Sequence, residues 1–230
     1  MEEILANANT TADKQTVHRV YIYSLKNMGR FKEALQHNLL ALKELNMCPP
    51  QRFLVLQIFP RMVRTTRRVG DLSVEDFSNF TKEADAKTLY QLRLLALLLE
   101  NSIHFCNIFF RALVMSRIIN LALDEEIKDI SAIGMMCCSL LFGFRGRREK
   151  SYKFAKGALE MSKDLSNPLH MIRIMGAAPH FMRHWYEPYH ACLEPLLASY
   201  KLGLEVGQIE VVHQMIIRKF VPSRYVPFST

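Results

Sequence analysis

The chain is poor in the residues that punctuate β-structure. Its 230 residues include 9 glycines and 9 prolines, and its apolar runs carry helical rather than alternating periodicity. That argues against sandwiches and barrels, which need frequent turns between short alternating strands. The cysteines are five, an odd number: Cys48, Cys106, Cys137, Cys138 and Cys192. Their spacing fits no metal knuckle and they sit in apolar helical stretches, so buried reduced thiols are expected rather than a disulfide framework. No basic stretch followed by an apolar one opens the chain, which speaks against a secretory signal. The longest uncharged apolar run, Ile130 to Phe144, falls short of the roughly 20 residues that span a bilayer. Acidic residues are outnumbered, 22 Asp and Glu against 30 Lys and Arg, for a net charge of +8. The expectation is a soluble, cytoplasmic, all-α chain with an attraction to acidic partners.

What is present is a succession of amphipathic helices. Asp13 to Met28 forms one, with Val17, Val20, Tyr21, Ser24 and Leu25 along its apolar side. Gly29 turns the chain into a second, which ends near Asn46 and buries Ala34 and Ala41. Cys48-Pro49-Pro50 launches a third to about Val69, which Pro60 should kink or divide. Ser73 and Asp76 read as a capping box for a short helix to about Lys82. Glu83 to Phe105 is apolar nearly all round and should be sandwiched between neighbours. Its partner, 107 to 123, carries Arg111 and Arg117 on its wet face. Ile127 to Phe144 and Arg147 to Leu165 follow as another helix pair. Asn167-Pro168 starts a helix to about Trp185. Pro188 starts the next, to about Val206, and Gly207 turns into a last helix from Ile209 to Phe220.

Two short helices joined by a Gly turn cannot bury their apolar stripes alone and call for neighbours of the same kind. Gly29, Phe31, Ala34, Ala41 and Leu42 resemble the tetratricopeptide consensus in its turn and second helix. Ile22 and Asn46 depart from that consensus, which has a small residue and a closing proline there. Gly146 and Ala158 are spaced as Gly29 and Ala41 are, and Leu159 matches Leu42. The stretch from about Leu89 to Ile216 resembles the helical-repeat region of multidomain signalling ATPases. There a kinase-like domain and a STAND-type ATPase precede the helices, and GAF, histidine-kinase or other output domains follow. The residues are Ser151-Tyr152-Lys-Phe154-Ala-Lys-Gly-Ala158-Leu159, Trp185 with Pro188, and Tyr200 through Gly207 to Glu210. Gln208 stands where that family usually has Asp. Neither the phosphate-binding loop Gly-x-x-x-x-Gly-Lys-Ser/Thr nor a kinase signature occurs in this sequence, so the resemblance implies no catalytic role. Pro222 and Pro227 end the pattern without a polar capping helix, as expected of part of a longer array.

Four groups of residues invite chemistry. His180 and His184 lie one turn apart with His190 nearby, but Phe181 occupies the place where a zinc peptidase needs Glu. Cys137-Cys138 diverge around a helix with nothing basic beside them, which favours core packing. Trp185, the only tryptophan, reads as a wedge between helices before a stacking platform. The clusters Arg61, Arg64, Arg67, Arg68 and Arg145, Arg147, Arg148, Lys150 share helix faces without interleaved aromatics, as solvated surfaces do.

The sequence therefore predicts a disordered 1–12, a single right-handed tetratricopeptide-like array over 13–220, and an irregular 221–230. The expected function is non-catalytic, with no cofactor and no metal. It is a protein-interaction or regulatory scaffold within a larger signal-transducing ATPase or kinase. Arg64, Arg68, Arg93 and Arg117 are expected to line its partner surface. The alternative is a basic helical repeat that binds RNA, against which the lack of a base-reading code argues.

Overall fold

The computed structural model describes residues 11–49, 54–80, 82–83, 85–105, 108–165, 168–181 and 183–207. Within them lie ten α-helices and, as β-structure, one isolated parallel bridge between Lys82 and Ile127. The expected last helix, 209–220, and the terminal segments fall outside the described residues. The helices group into two compact units. One comprises residues 1–72 and 81–127, the other 73–80 and 128–230.

The first unit contains α1 (Thr11–Asn27), α2 (Phe31–Glu44), α3 (Leu54–Gly70), α5 (Ala86–Phe105) and α6 (Ile108–Glu125). Helix α5 packs on α2 and α6, and α3 packs on α6. Its near-continuous apolar surface is thereby used: Leu92, Leu94, Leu95, Leu97 and Leu98 are all buried. Helix α3 runs through Pro60 undivided. In α1 the buried face is rotated from the expected one. Val20 is 55% exposed, while His18, Ile22, Leu25 and Lys26 are buried. Their spacing of four, three and one keeps them on one stripe, and polar partners make His18 and Lys26 tolerable there. Lys26 Nζ lies 2.9 Å from Glu100 Oε2 of α5.

The second unit contains α4 (Val74–Ser78), α7 (Lys128–Phe144), α8 (Arg148–Ser162), α9 (Pro168–Phe181), a 3₁₀ turn at Arg183–Trp185 and α10 (Tyr189–Glu205). Helix α7 is buried without interruption from Ile130 to Ser139. Small residues let α8 approach it. Ser139 and Ser151 each donate a hydroxyl to the other's backbone carbonyl at 2.7 Å, which ties the two helices together and satisfies both buried hydroxyls. The capping box opens α4: Ser73 N donates to Asp76 Oδ2 at 2.7 Å, and Asp76 N to Ser73 Oγ at 3.4 Å. That short helix inserts Phe77 edge-on against Phe154, with ring centroids 5.9 Å apart. Beside it Val74 reaches Gly157, where a Cβ would lie 2.5 Å from Val74 Cγ1.

The hairpins α1–α2 and α7–α8 close alike. Gly29 and Gly146 adopt φ of 73° and 74°, a left-handed conformation that costs other residues about 1–2 kcal/mol. In each, the glycine N–H donates three residues back, Gly29 to Lys26 O at 2.9 Å and Gly146 to Gly143 O at 3.0 Å. The next N–H donates five back, Arg30 to Leu25 O at 2.8 Å and Arg147 to Phe142 O at 3.0 Å. This is a Schellman cap, which satisfies carbonyls the helix end leaves open. Asn46 closes α2 the same way with φ 57°, through Met47 N to Leu42 O at 2.8 Å. Asn tolerates that conformation locally. After the two glycines, Ala34, Asn38 and Ala41 are buried in α2, and Ser151, Ala155 and Ala158 at the same offsets in α8.

Candidate functional site

The four arginines expected to line a partner surface lie on three helices of the first unit, α3, α5 and α6. Arg64 is exposed on α3. One turn on, Arg68 donates to Asn120 Oδ1 and Asp124 Oδ1 of α6, both at 2.7 Å. Asn120 in turn donates to Thr65 Oγ1 at 2.8 Å, so this network fastens α3 to α6. Arg93 is half-buried on α5. Arg117, expected on the wet face of α6, is half-buried and donates to the Met47 carbonyl. Burial and then the neighbouring Arg61 charge lower its pKa. Arg68 and Arg117 thus have structural partners within the first unit.

Among the other candidates, the side chains of His180 and His184 lie outside the described residues, as does Cys106. His190 is exposed. Cys48, Cys137, Cys138 and Cys192 are free thiols, three buried and Cys48 half-buried. Burial pushes Cys137 up to about 12 and Cys138 well above its ordinary value, against the weaker pull of Lys150. Both are held as thiols, the inert form. Among the described residues, no three His, Cys, Asp or Glu side chains converge as a metal would require. No helix of the described residues is long and apolar enough to cross a membrane.

A polar cluster absent from the sequence-based expectations lies between α1 and α2. His18 Nδ1 is 3.0 Å from His37 Nε2, and His18 Nε2 is 3.4 Å from Glu44 Oε2. The edge of Tyr21 meets the His37 ring at 4.8 Å between centroids. Burial first, and then His18, lower the His37 pKa.

The second unit gathers cations and aromatics along α8. Arg148 Cζ sits 5.4 Å from the centre of the Trp185 ring, and Trp185 remains 42% exposed. One turn along, Tyr152 stacks on Tyr186 at 4.9 Å and donates its hydroxyl to Glu187 Oε1 at 2.7 Å. Arg183 also donates to Glu187. Burial opposes the Glu187 charge, but Arg183 and Tyr152 lower its pKa overall. Two turns further, Lys156, Leu159 and Lys163 join Met175 of α9 and Pro195 of α10 around an open groove of about 330 Å³. Glu160 and Glu194 stand on the same walls.

The spacing of Arg148, Tyr152, Lys156 and Lys163 was a signal available in the sequence, since steps of about 3.6 residues return to one helix face. The partner aromatics were not, because Trp185 reaches Arg148 only through the fold. The second basic cluster therefore does have an aromatic beside it, although none is interleaved in the chain. Comparisons of this chain with protein-family models, with curated proteins and with solved structures give no match.

Proposed function

We propose that the chain is a non-catalytic helical-repeat scaffold for protein interaction and regulation, a cytoplasmic segment of a larger signal-transducing ATPase or kinase. The observation that carries this reading is the pair of hairpins closed by the same glycine cap, with small or polar residues buried at the same offsets behind it. Such hairpins leave apolar sides that neighbours cover, and stacking them in a right-handed, tetratricopeptide-like array produces extended surfaces suited to partner segments. The test is the coding sequence on either side of this segment. Kinase-like and nucleotide-binding domains ahead of it, and GAF or histidine-kinase output domains behind it, are the expected result. Flanks that encode none of these would overturn the assignment to a signalling ATPase.

One observation favours a second reading, a basic module that binds RNA. Arg148 over the exposed Trp185 is the kind of cation and ring pair on which single-stranded bases stack. RNA binding of that kind has log affinity falling steeply and linearly with log salt, by about 0.7 per phosphate neutralised.

A further inference from the structure

We propose that the face of α8 bearing Arg148, Tyr152, Lys156 and Leu159, with Lys163 at its C-cap, is a docking strip for an extended acidic peptide segment with one aliphatic anchor. The proposal rests on the interaction-scaffold reading and gives it a site and a partner chemistry. These five positions fall within an arc of about 80° of the helix, and the strip is about 22 Å long at 1.5 Å per residue. An extended chain advances about 3.3 Å per residue, so about six or seven residues cover it.

The two ends of the strip differ. At the beginning of α8, Arg145, Arg147 and Arg148 are exposed, and Arg148 stacks over Trp185. Glu149 beside them is engaged with Lys153 at 2.9 Å, and Glu187 is held by Tyr152 and Arg183. This end suits carboxylates. Arg and aromatic side chains are also the types that dominate binding energy at protein interfaces. At the far end the groove offers Leu159, Met175 and Pro195 between charged walls, which suits one aliphatic side chain. Methionine adapts its shape to such a guest.

The wall charges decide between peptide and nucleic acid. Lys156, Lys163 and Arg183, the last already paired with Glu187, line the groove together with Glu160 and Glu194. A polynucleotide has a phosphate at every step and meets those two carboxylates with like charge. A peptide places carboxylates at the arginine end and an uncharged side chain between the glutamates. Complementarity of this kind sets register and excludes wrong partners.

Trp185 is the only tryptophan in the chain, so its emission reports this strip directly. The experiment pans the full chain against displayed random peptides of about seven residues. Enriched peptides are then titrated by Trp185 fluorescence against the parent, Arg148→Glu and Lys163→Glu. Both substitutions are at exposed positions, and circular dichroism checks that each variant remains helical. Mixed-sequence RNA of similar length is titrated in parallel. The expected result is enrichment of peptides with clustered acidic residues and an aliphatic residue a few positions away. Binding should alter Trp185 emission, and each charge reversal should weaken it about tenfold or more. Peptides that bind both variants as well as the parent would leave the chain an interaction scaffold and refute this strip. No enrichment, or enrichment without acidic residues, would also refute it. RNA that binds more tightly than the peptides at physiological salt, and loses affinity on charge reversal, would reassign the surface to nucleic acid.

Discussion

Gly157→Ala turns the docking of α4 on α8 into a measurable sign. Two effects oppose each other at this position. In a helix interior, alanine is favoured over glycine by about 1 kcal/mol. Against that, the new Cβ would lie 2.5 Å from Val74 Cγ1, 2.8 Å from Met135 Sδ and 3.3 Å from Val74 Cγ2. Methionine swings its sulfur aside readily, whereas valine is stiff at χ1. The valine must therefore move with its backbone, and such overpacking costs about 1–3 kcal/mol. The net expectation is destabilisation by about 1 kcal/mol, or a urea midpoint lowered by about 0.5 M for a slope of about 2 kcal/mol/M. Val74→Ala removes both clashing methyls. In that background Gly157→Ala should stabilise, by up to about 1 kcal/mol. Trp185 belongs to the same unit, so its fluorescence follows the relevant transition. Equal shifts of the midpoint in both backgrounds would mean the two sites are uncoupled, and the described contact between α4 and α8 would be wrong.

Glu100→Ala should destabilise the first unit by about 3 kcal/mol, because it withdraws the carboxylate from buried Lys26; Lys26→Met together with Glu100→Leu should recover most of that loss in denaturant titrations. Stability should also fall as pH drops from 6.5, the ordinary histidine value. The lowered His37 pKa means the unfolded chain takes up its proton first, so the loss runs from 6.5 down through the folded value. Melting temperatures between pH 7.5 and 5 should show this, and His37→Gln should flatten the profile. Ala41→Trp and Ala158→Trp each place a ring at a position with no exposure, and each should cost about 1–3 kcal/mol or more. Melting within a degree of the parent would show that the helices do not meet closely there.

The features legible in the sequence were those governed by neighbours in the chain. The all-helical class, the Ser73 capping box, the glycine turns and most helix bounds to within a few residues depend on local periodicity and caps. Burial of Ala41 and Ala158 followed from their place on the apolar stripes. What the sequence did not show depends on partners distant in the chain. His18 and Lys26 are buried beside His37, Glu44 and Glu100, and Val20, expected on the apolar side, is turned out instead. The partners of Arg68 and Arg117, which are Asn120, Asp124 and the Met47 carbonyl, lie far from them in sequence. The same distance hid Trp185 from Arg148.

The chain leaves its first unit after Leu72, contributes α4 to the second, and returns before completing the first. No single cut therefore separates the two, and a fragment beginning at Lys128 would lack Phe77 and Val74. During synthesis the order matters as well. At about 5–20 residues per second, a ribosome takes about 4–15 s to travel from Phe77 to Phe154. Until α7 and then α8 are made, the surface on which the short helix docks is incomplete. Its apolar side chains are then open to chaperones, which makes this segment the natural place to look for assistance during folding.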